Sequence, residues 1–421
     1  MDNRTRNREK ITRRSLLKSA AAIASAAIFP FGLASAAFSE NAAALTAGSS
    51  KPDAPVKNPK WYGFNLLEYF STDPDWMKYF PYKNDGMFLE DDFRWIRDWG
   101  FNWVRLPMDY RFWTDSHDPF KIHEESVIPI DRAIRLGEKY GIHVNVCLHR
   151  APGFCVLDTL DEALTGIHVT KEKTSVSTDS KTLDVFVYQW TYFADRYKGI
   201  SSDKLSFNLV NEPLDLPVPA ATEKAGETKP GQRQLQDYVR VARAAIEGIR
   251  KHDPQRLVIT DGYLGGTAVI PGLFDTQVMQ SCHTYNPVQL THYQCEWARG
   301  MLTGSEAEPT WPLKDSKGKI LSDREILTHT FQPWGELAAQ GIPIHFGEMG
   351  CYKHTPPQVV LAWFSDTLSV LGELHTGFAL WNFRGPFGVL DTERAGTKYE
   401  KWHDHQLDRA LLSLLQEKMR S

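Results

Sequence analysis

The sequence predicts an α/β fold, a single-domain (β/α)8 TIM barrel with long βα loops. Three observations carry that prediction. From Trp61 onward short apolar runs alternate with amphipathic stretches, and eight such pairs follow one another. Connections from helix to strand are short and often carry glycine, as at Gly100, Gly141 and Gly341, whereas three of those from strand to helix are long: Asp158 to Lys181, Leu214 to Arg233 and Asn286 to Asp323. Insertions therefore collect on the face where such barrels place their chemistry. No GxGxxG or P-loop follows the first run, which argues against an open, doubly wound sheet.

In chain order, residues 1–36 are an address rather than fold. Thr12-Arg13-Arg14-Ser15-Leu16-Leu17-Lys18 joins a basic segment to a weakly apolar run from Ala20 to Gly32, and Ala34-Ser35-Ala36 supplies the small residues that a signal peptidase accepts. The paired arginines and the alanine-rich run predict a twin-arginine-type signal peptide and export to the periplasm or beyond. A membrane anchor is disfavoured because the run is shorter than the roughly twenty apolar residues of a spanning helix. Residues 37–56, rich in Ala and Ser, read as a flexible lead-in, and 57–421 as the barrel domain.

Eight strands are expected within that domain: Tyr62 to Leu67, Trp103 to Leu106, His143 to Leu148, Leu205 to Val210, Leu257 to Thr260, Val278 to Cys282, Ile344 to Phe346 and Phe378 to Trp381. Helical spacing of apolar residues follows each in turn, at Asp91 to Trp99, Ile130 to Tyr140, Leu183 to Tyr197, Leu235 to Lys251, Ala268 to Phe274, Arg324 to Ala339, Gln358 to Leu371 and His405 to Lys418. The fifth is the faintest.

Composition bounds the partners. Net charge is −4 with no basic tract, so nucleic acid is not an expected partner. Five cysteines, odd in number and without a CxxC pair, predict buried free thiols and neither a zinc site nor a disulfide framework. The 12% aromatic share includes thirteen tryptophans, more than one core needs, and flat apolar faces suit stacking on sugar rings. Trp76, Trp113, Trp297 and Trp311 are equally readable as such platforms or as loop anchors.

The predicted strand tips converge on one mouth. Arg105 ends the second strand, His149 the third, Asn211-Glu212-Pro213 the fourth, His283-Thr284-Tyr285 the sixth, Gly347-Glu348 the seventh and Trp381-Asn382 the eighth. Alone, Glu212 reads as readily as a turn or helix-start carboxylate. Paired with Glu348 at a second strand end, it supplies the two carboxylates that glycosidic bond cleavage requires.

This ordered set resembles glycoside hydrolase family 5, the cellulase-like retaining glycosidases, over the chain from about Trp61 to the C-terminal helix. The resemblance implies Glu212 as acid/base and Glu348 as nucleophile, with Arg105 keeping Glu348 ionised and Tyr285 donating to it. Asn211 is implied to hold the sugar 2-hydroxyl, His149 and His283 to line the subsite, and Trp381 to floor it. Asn65 and Glu68, from the first strand, are implied as further substrate contacts. No metal or other cofactor is expected. The expected partner is a β-glucan or related polysaccharide or oligosaccharide, with endo-β-1,4-glucanase action first, and exo-β-1,3-glucanase or β-mannanase action as alternatives. His149, His283 and His345 open a rival reading as a metal-dependent barrel hydrolase, but no HxH pair on the first strand supports it. His345, inside the seventh strand, reads better as a satisfied core histidine. A non-catalytic sugar-binding barrel is the other rival, and the presence of both glutamates gives no reason to prefer it.

Overall fold

The computed structural model describes residues 58–80, 86–214, 230–302 and 307–420. The expected signal peptide and lead-in lie outside the described residues, as does most of the loop after the fourth strand. The barrel strands are β1 Tyr62–Asn65, β2 Trp103–Asp109, β3 His143–Ala151, β4 Leu205–Asn208, β5 Leu257–Asp261, β6 Met279–Thr284, β7 Ile344–Met349 and β8 Phe378–Leu380. Each pairs in parallel with the next, and β8 returns to β1 through Tyr62 opposite Phe378. The sheet is therefore closed. Parallel strands covered on both faces read as unbroken apolar runs, which is why all eight stand out in the sequence.

Among the described residues, seven α-helices of nine or more residues wrap the barrel: α1 Glu90–Asp98, α2 Ile128–Tyr140, α3 Ser180–Arg196, α4 Pro230–His252, α5 Arg324–Ala339, α6 Pro357–Glu373 and α7 Arg409–Arg420. Their starts have local causes. Asp179 accepts from the Thr182 amide at 2.7 Å ahead of α3, and Asp323 from the Ile326 amide at 2.9 Å ahead of α5. On α3, Val185, Phe186, Trp190, Phe193 and Ala194 form the buried stripe. Emptying the Trp190 position alone would cost about 3–5 kcal/mol.

Two expected helices are corrected. The fifth unit carries a 3-10 segment, Pro271–Thr276, because only a short connection separates β5 from β6 and Pro271 sets its first turn. The last helix does not begin at His405. His405–Leu407 pairs antiparallel with Glu400–Trp402, and Asp408 then accepts from the Leu411 amide at 3.0 Å to start α7 at Arg409.

Inside the barrel, away from the mouth, lies a polar layer whose members satisfy one another. His143 meets the Asp203 carbonyl at 2.9 Å and the Ser206 hydroxyl at 2.7 Å, and His345 meets the Trp61 carbonyl at 3.0 Å. Burial lowers these imidazoles to about 3 and about 4, so both are neutral core groups. At the mouth a second apolar cluster forms from the loops: Phe70, Trp76, Phe80, Trp297, Tyr352 and Phe387 pack with Trp381. All five cysteines are free and buried.

Candidate active site

Glu348 is brought into the barrel by an irregularity in β7. Its register against β6 shifts between Phe346 and Glu348, and its register against β8 between Phe346 and Met349. A bulge of this kind re-aims a side chain. Gly347 makes it possible, since a Cβ there would stand 2.5 Å from the Ser281 hydroxyl. Glu212 follows β4 in the left-handed region, φ 48°, a conformation costing a non-glycine residue on the order of 1 kcal/mol. Its amide donates to Asp261 Oδ2 at 3.1 Å, which holds the turn.

Donors gather unequally on the two carboxylates. Glu348 accepts from Arg105 Nη1 at 3.0 Å and from the Tyr285 hydroxyl at 2.7 Å, and His283 Nδ1 stands 3.4 Å from its Oε2. Glu212 meets His283 Nδ1 at 2.9 Å. The glutamates offer carboxylate oxygens within 4.8 Å of each other, with the imidazole between them. The side chain of Glu212 is 17% exposed and that of Glu348 5%, so Glu212 is the more open to solvent and to an incoming ligand.

The charges of this cluster follow from burial and partners. Burial pushes the Glu348 carboxyl up to about 7, opposed by His283, Arg105 and the Tyr285 hydroxyl and assisted by neighbouring Glu212. Burial would lower His283, but Asp261 and Glu348 reverse this and raise it to about 10. Asp261 resists its own burial because His283 and Arg105 draw it down to about 2. Tyr285, raised by burial and then by Glu348, remains a hydroxyl donor. His149 is lowered by burial and is neutral.

Of the ten residues singled out in the sequence, Arg105, Asn211, Glu212, His283, Tyr285 and Glu348 form one unit of hydrogen bonds and ion pairs. Arg105 stands against Glu348 as expected, and the substrate contact expected of Asn65 is corrected. Arg105 is fully buried and spends its N–H groups on Asn208, Asn65, Glu348, Cys147, Asn211 and Asp261. Asn65 is equally buried, accepting from Arg105 and donating to the carbonyls of Gly347 at 3.1 Å and Leu380 at 2.9 Å. Both position the carboxylates from below. Asn211 accepts from Arg105 through Oδ1, while its buried Nδ2 has no protein acceptor among the described residues. His149 packs edge-on to Phe70 and tilted to Trp381, at 4.5 and 5.6 Å between ring centres. Trp381 is 6% exposed, boxed by His149, Phe70 and Phe80. Glu68 lines a cavity of about 640 Å³ with Tyr79, Phe80, Tyr352 and Asn382.

Trp76 and Trp297 are buried in the mouth cluster, Trp113 donates to Gln189 at 2.9 Å and Trp311 to Asp366 at 2.8 Å. All four are loop anchors. Glu212, His283 and Glu348 come nearest to a metal-ligand set among the described residues. The set suits an anion or a neutral hydroxyl better than a cation, because Arg105 already fills one side of it and a doubly protonated imidazole has no lone pair to give.

Residues 53–385 match the family model for cellulase, glycosyl hydrolase family 5. The chain belongs to that family. It is 24% identical over 296 residues to cellodextrinase A of Ruminococcus flavefaciens, covering 69% of this chain and 77% of the relative. It is 22% identical over 342 residues to endoglucanase C of Acetivibrio thermocellus, covering 75% and 90%. A crystal structure titled only as a glycoside hydrolase superposes with TM-score 0.72 at 35% identity, covering 86% of this chain and 99% of that one. The Thermotoga maritima Cel5A complex with cellobiose shares the fold, with TM-score 0.60 at 21% identity over 85% and 96% of the two chains. This family 5 enzyme is thus a glycosidase that hydrolyses O-glycosidic bonds.

The sequence reading of this glycosidase misses Asp261. Its carboxylate is wholly buried at the end of β5 and touches Arg105, Asn208, the Glu212 amide and His283. Asp261-Gly262 has the look of a turn, and the expected fifth strand stops one residue short of it. A carboxylate directly after an apolar run, in a barrel whose other strands end in polar side chains, was the available signal.

Proposed function

We propose that this enzyme cleaves β-linked glucan with net retention, through a glycosyl-enzyme on Glu348 and with Glu212 as acid and then base. The carrying observation is the pair itself: two carboxylates with oxygens within 4.8 Å, one of them held by Arg105 and Tyr285. A retaining pair stands about 5 to 5.5 Å apart, whereas inversion needs about 6.5 to 9.5 Å to admit a water. Charge balance assigns the roles. Arg105 and His283 are cations and Asp261 is an anion, so one further negative charge neutralises the cluster, and Glu348 has the donors to carry it. That leaves Glu212 the role of acid.

In the first step Glu348 attacks the anomeric carbon while the Glu212 proton passes to the departing oxygen, and the glycosidic C–O bond breaks. In the second, Glu212 takes a proton from water, the hydroxide oxygen displaces Glu348 from the same carbon, and both groups return to their starting states. The Asn211 Nδ2, buried without a protein acceptor, suits the sugar 2-hydroxyl, a contact that strengthens as the oxocarbenium-like centre forms.

For substrate we infer β-1,4-glucan attacked internally, supported by relatives named endoglucanase and cellodextrinase. A second reading, exo-action on β-1,3-glucan, draws on 45% identity over 67 residues to the sporulation-specific glucan 1,3-beta-glucosidase of Saccharomyces cerevisiae, a match covering 16% of this chain. Export through the expected leader in residues 1–36 would bring the enzyme to such polymers. Residues 37–421 incubated with carboxymethyl cellulose, β-1,3-glucan, galactomannan, xyloglucan and xylan decide the matter. A ladder of oligomers from carboxymethyl cellulose is expected, and a single small product from β-1,3-glucan alone would replace the first reading with the second. Turnover should be unchanged by a chelator.

A further inference from the structure

We infer that Asp261 is a positioning residue that keeps His283 doubly protonated, so that a fixed cation stands between the two places the catalytic negative charge occupies in turn. The inference rests on the roles proposed for Glu212 and Glu348 and adds to them a residue on β5.

The geometry is specific. Asp261 Oδ2 is approached by Arg105 Nη2 at 3.1 Å, by the Glu212 amide at 3.1 Å and by His283 Nε2 at 3.2 Å, while Oδ1 accepts from Asn208 at 3.0 Å. One buried carboxylate thus ties together the guanidinium beneath the nucleophile, the strained backbone of the acid and the imidazole between them. The far nitrogen of that imidazole, Nδ1, faces Glu212 at 2.9 Å and Glu348 at 3.4 Å. The side chain is approached from behind as well. Gly266, at φ 83°, lies so close that a Cβ there would stand 2.6 Å from His283 Cβ. The Gly266 backbone thus packs against the root of the His283 side chain.

Consider the charge during turnover. At rest it lies on Glu348; once the glycosyl-enzyme forms, Glu348 is an ester and Glu212 is the carboxylate. The protein must stabilise both states equally or one half-reaction slows. An Nδ1–H within reach of both oxygens does so by a small change of hydrogen-bond direction, without moving a heavy atom or a proton. It needs the ring charged throughout, which requires a permanent negative charge beside Nε2. Asp261 supplies it as an ion pair at 3.2 Å, without an aligned hydrogen bond. The other groups facing His283 are Arg105 from β2, His149 from β3, Glu212 after β4, and His345 and Glu348 from β7. Among them Arg105 repels the ring's charge and the two histidines are neutral, so the catalytic pair and Asp261 are what hold it. Since the pair carries a single charge, Asp261 is decisive.

The test is ¹⁵N NMR of the histidine-labelled protein, with the His283 signals assigned by their loss in His283→Asn. In the wild type at pH 8 both ring nitrogens should bear hydrogen; a neutral ring there overturns the inference without recourse to any Asp261 variant. In Asp261→Asn the ring should be neutral at pH 8, kcat should fall about 100-fold or more, and KM should change little. The double variant Asp261→Asn/His283→Asn should be no slower than His283→Asn, because the two act as one unit. Full additivity, or a ring still charged in Asp261→Asn, would show a structural role only. Azide rescue of Glu348→Ala does not depend on the state of His283, so failure of the underlying role assignment would be seen separately.

Discussion

At the scale of single residues, function rests on an asymmetry of hydrogen-bond donors rather than on the carboxylates as such. Glu348 accepts from both Arg105 and Tyr285, while Glu212 has only a share of His283. Glu348→Ala should therefore lose at least about four orders of magnitude in turnover, and added azide should restore an aryl glycoside reaction that yields a glycosyl azide of inverted configuration. Glu212→Ala should slow natural glucan far more than aryl glycosides with good leaving groups, since those need little protonation; comparing the two substrate classes reads this directly. The pH dependence has a definite sign. With Glu348 lifted to about 7 chiefly by burial, the ionised nucleophile is lost as pH falls through that value, so kcat/KM should drop on the acid side near pH 7. Tyr285→Phe removes a donor that favours the charged form and should move that limb to higher pH.

At the scale of elements, the barrel strands and helices do different amounts of specification. The apolar runs of β1 to β8 are visible in the sequence because both faces are covered, and the tips of β2, β3, β4, β6 and β7 are visible because polar side chains interrupt such runs abruptly. What could not be read is how those side chains are spent. Asn65 looks like a ligand contact in the sequence, yet its side-chain amide is committed to Arg105 and to the carbonyls of Gly347 and Leu380, a matter of register and of the close approach of β1, β2 and β7 at the mouth. Asp261 escapes notice because one acidic residue before a glycine carries no period. The 3-10 segment after β5 escapes because six residues cannot show a helical repeat. Gly266, on the connection that follows β5, gives the element-scale prediction. A methyl group there collides with His283, so Gly266→Ala should lower kcat at least about tenfold by displacing the imidazole, with a smaller change in Tm than a core truncation such as Trp190→Ala.

At the scale of the whole molecule, stability and activity both fall on the acid side, but through different buried groups. His143, His292 and His345 are lowered to about 3, about 4 and about 4 by burial, so in the folded protein they stay neutral while the unfolded chain takes up protons below about 6.5. The unfolded state then binds more protons, and stability must fall as pH drops from about 6.5 toward 4. Tm measured across that range should decline steadily, and His143→Asn, which keeps a partner for Ser206, should flatten the decline. His283 works the other way: with its folded value near 10, its contribution is complete below about 6.5 and is lost as pH rises through 10. Between these limits the mouth is assembled from loops whose tryptophans anchor one another, around two glutamates that each bring a carboxylate oxygen within 4.8 Å of the other's. Double displacement is the claim on which the rest depends, and the anomeric configuration of the first product tests it most directly. Proton NMR of a soluble β-linked cello-oligosaccharide, recorded within minutes of adding enzyme and before mutarotation, should show the β-anomer accumulating first. Initial appearance of the α-anomer would mean inversion, and Glu348 could not then be the nucleophile.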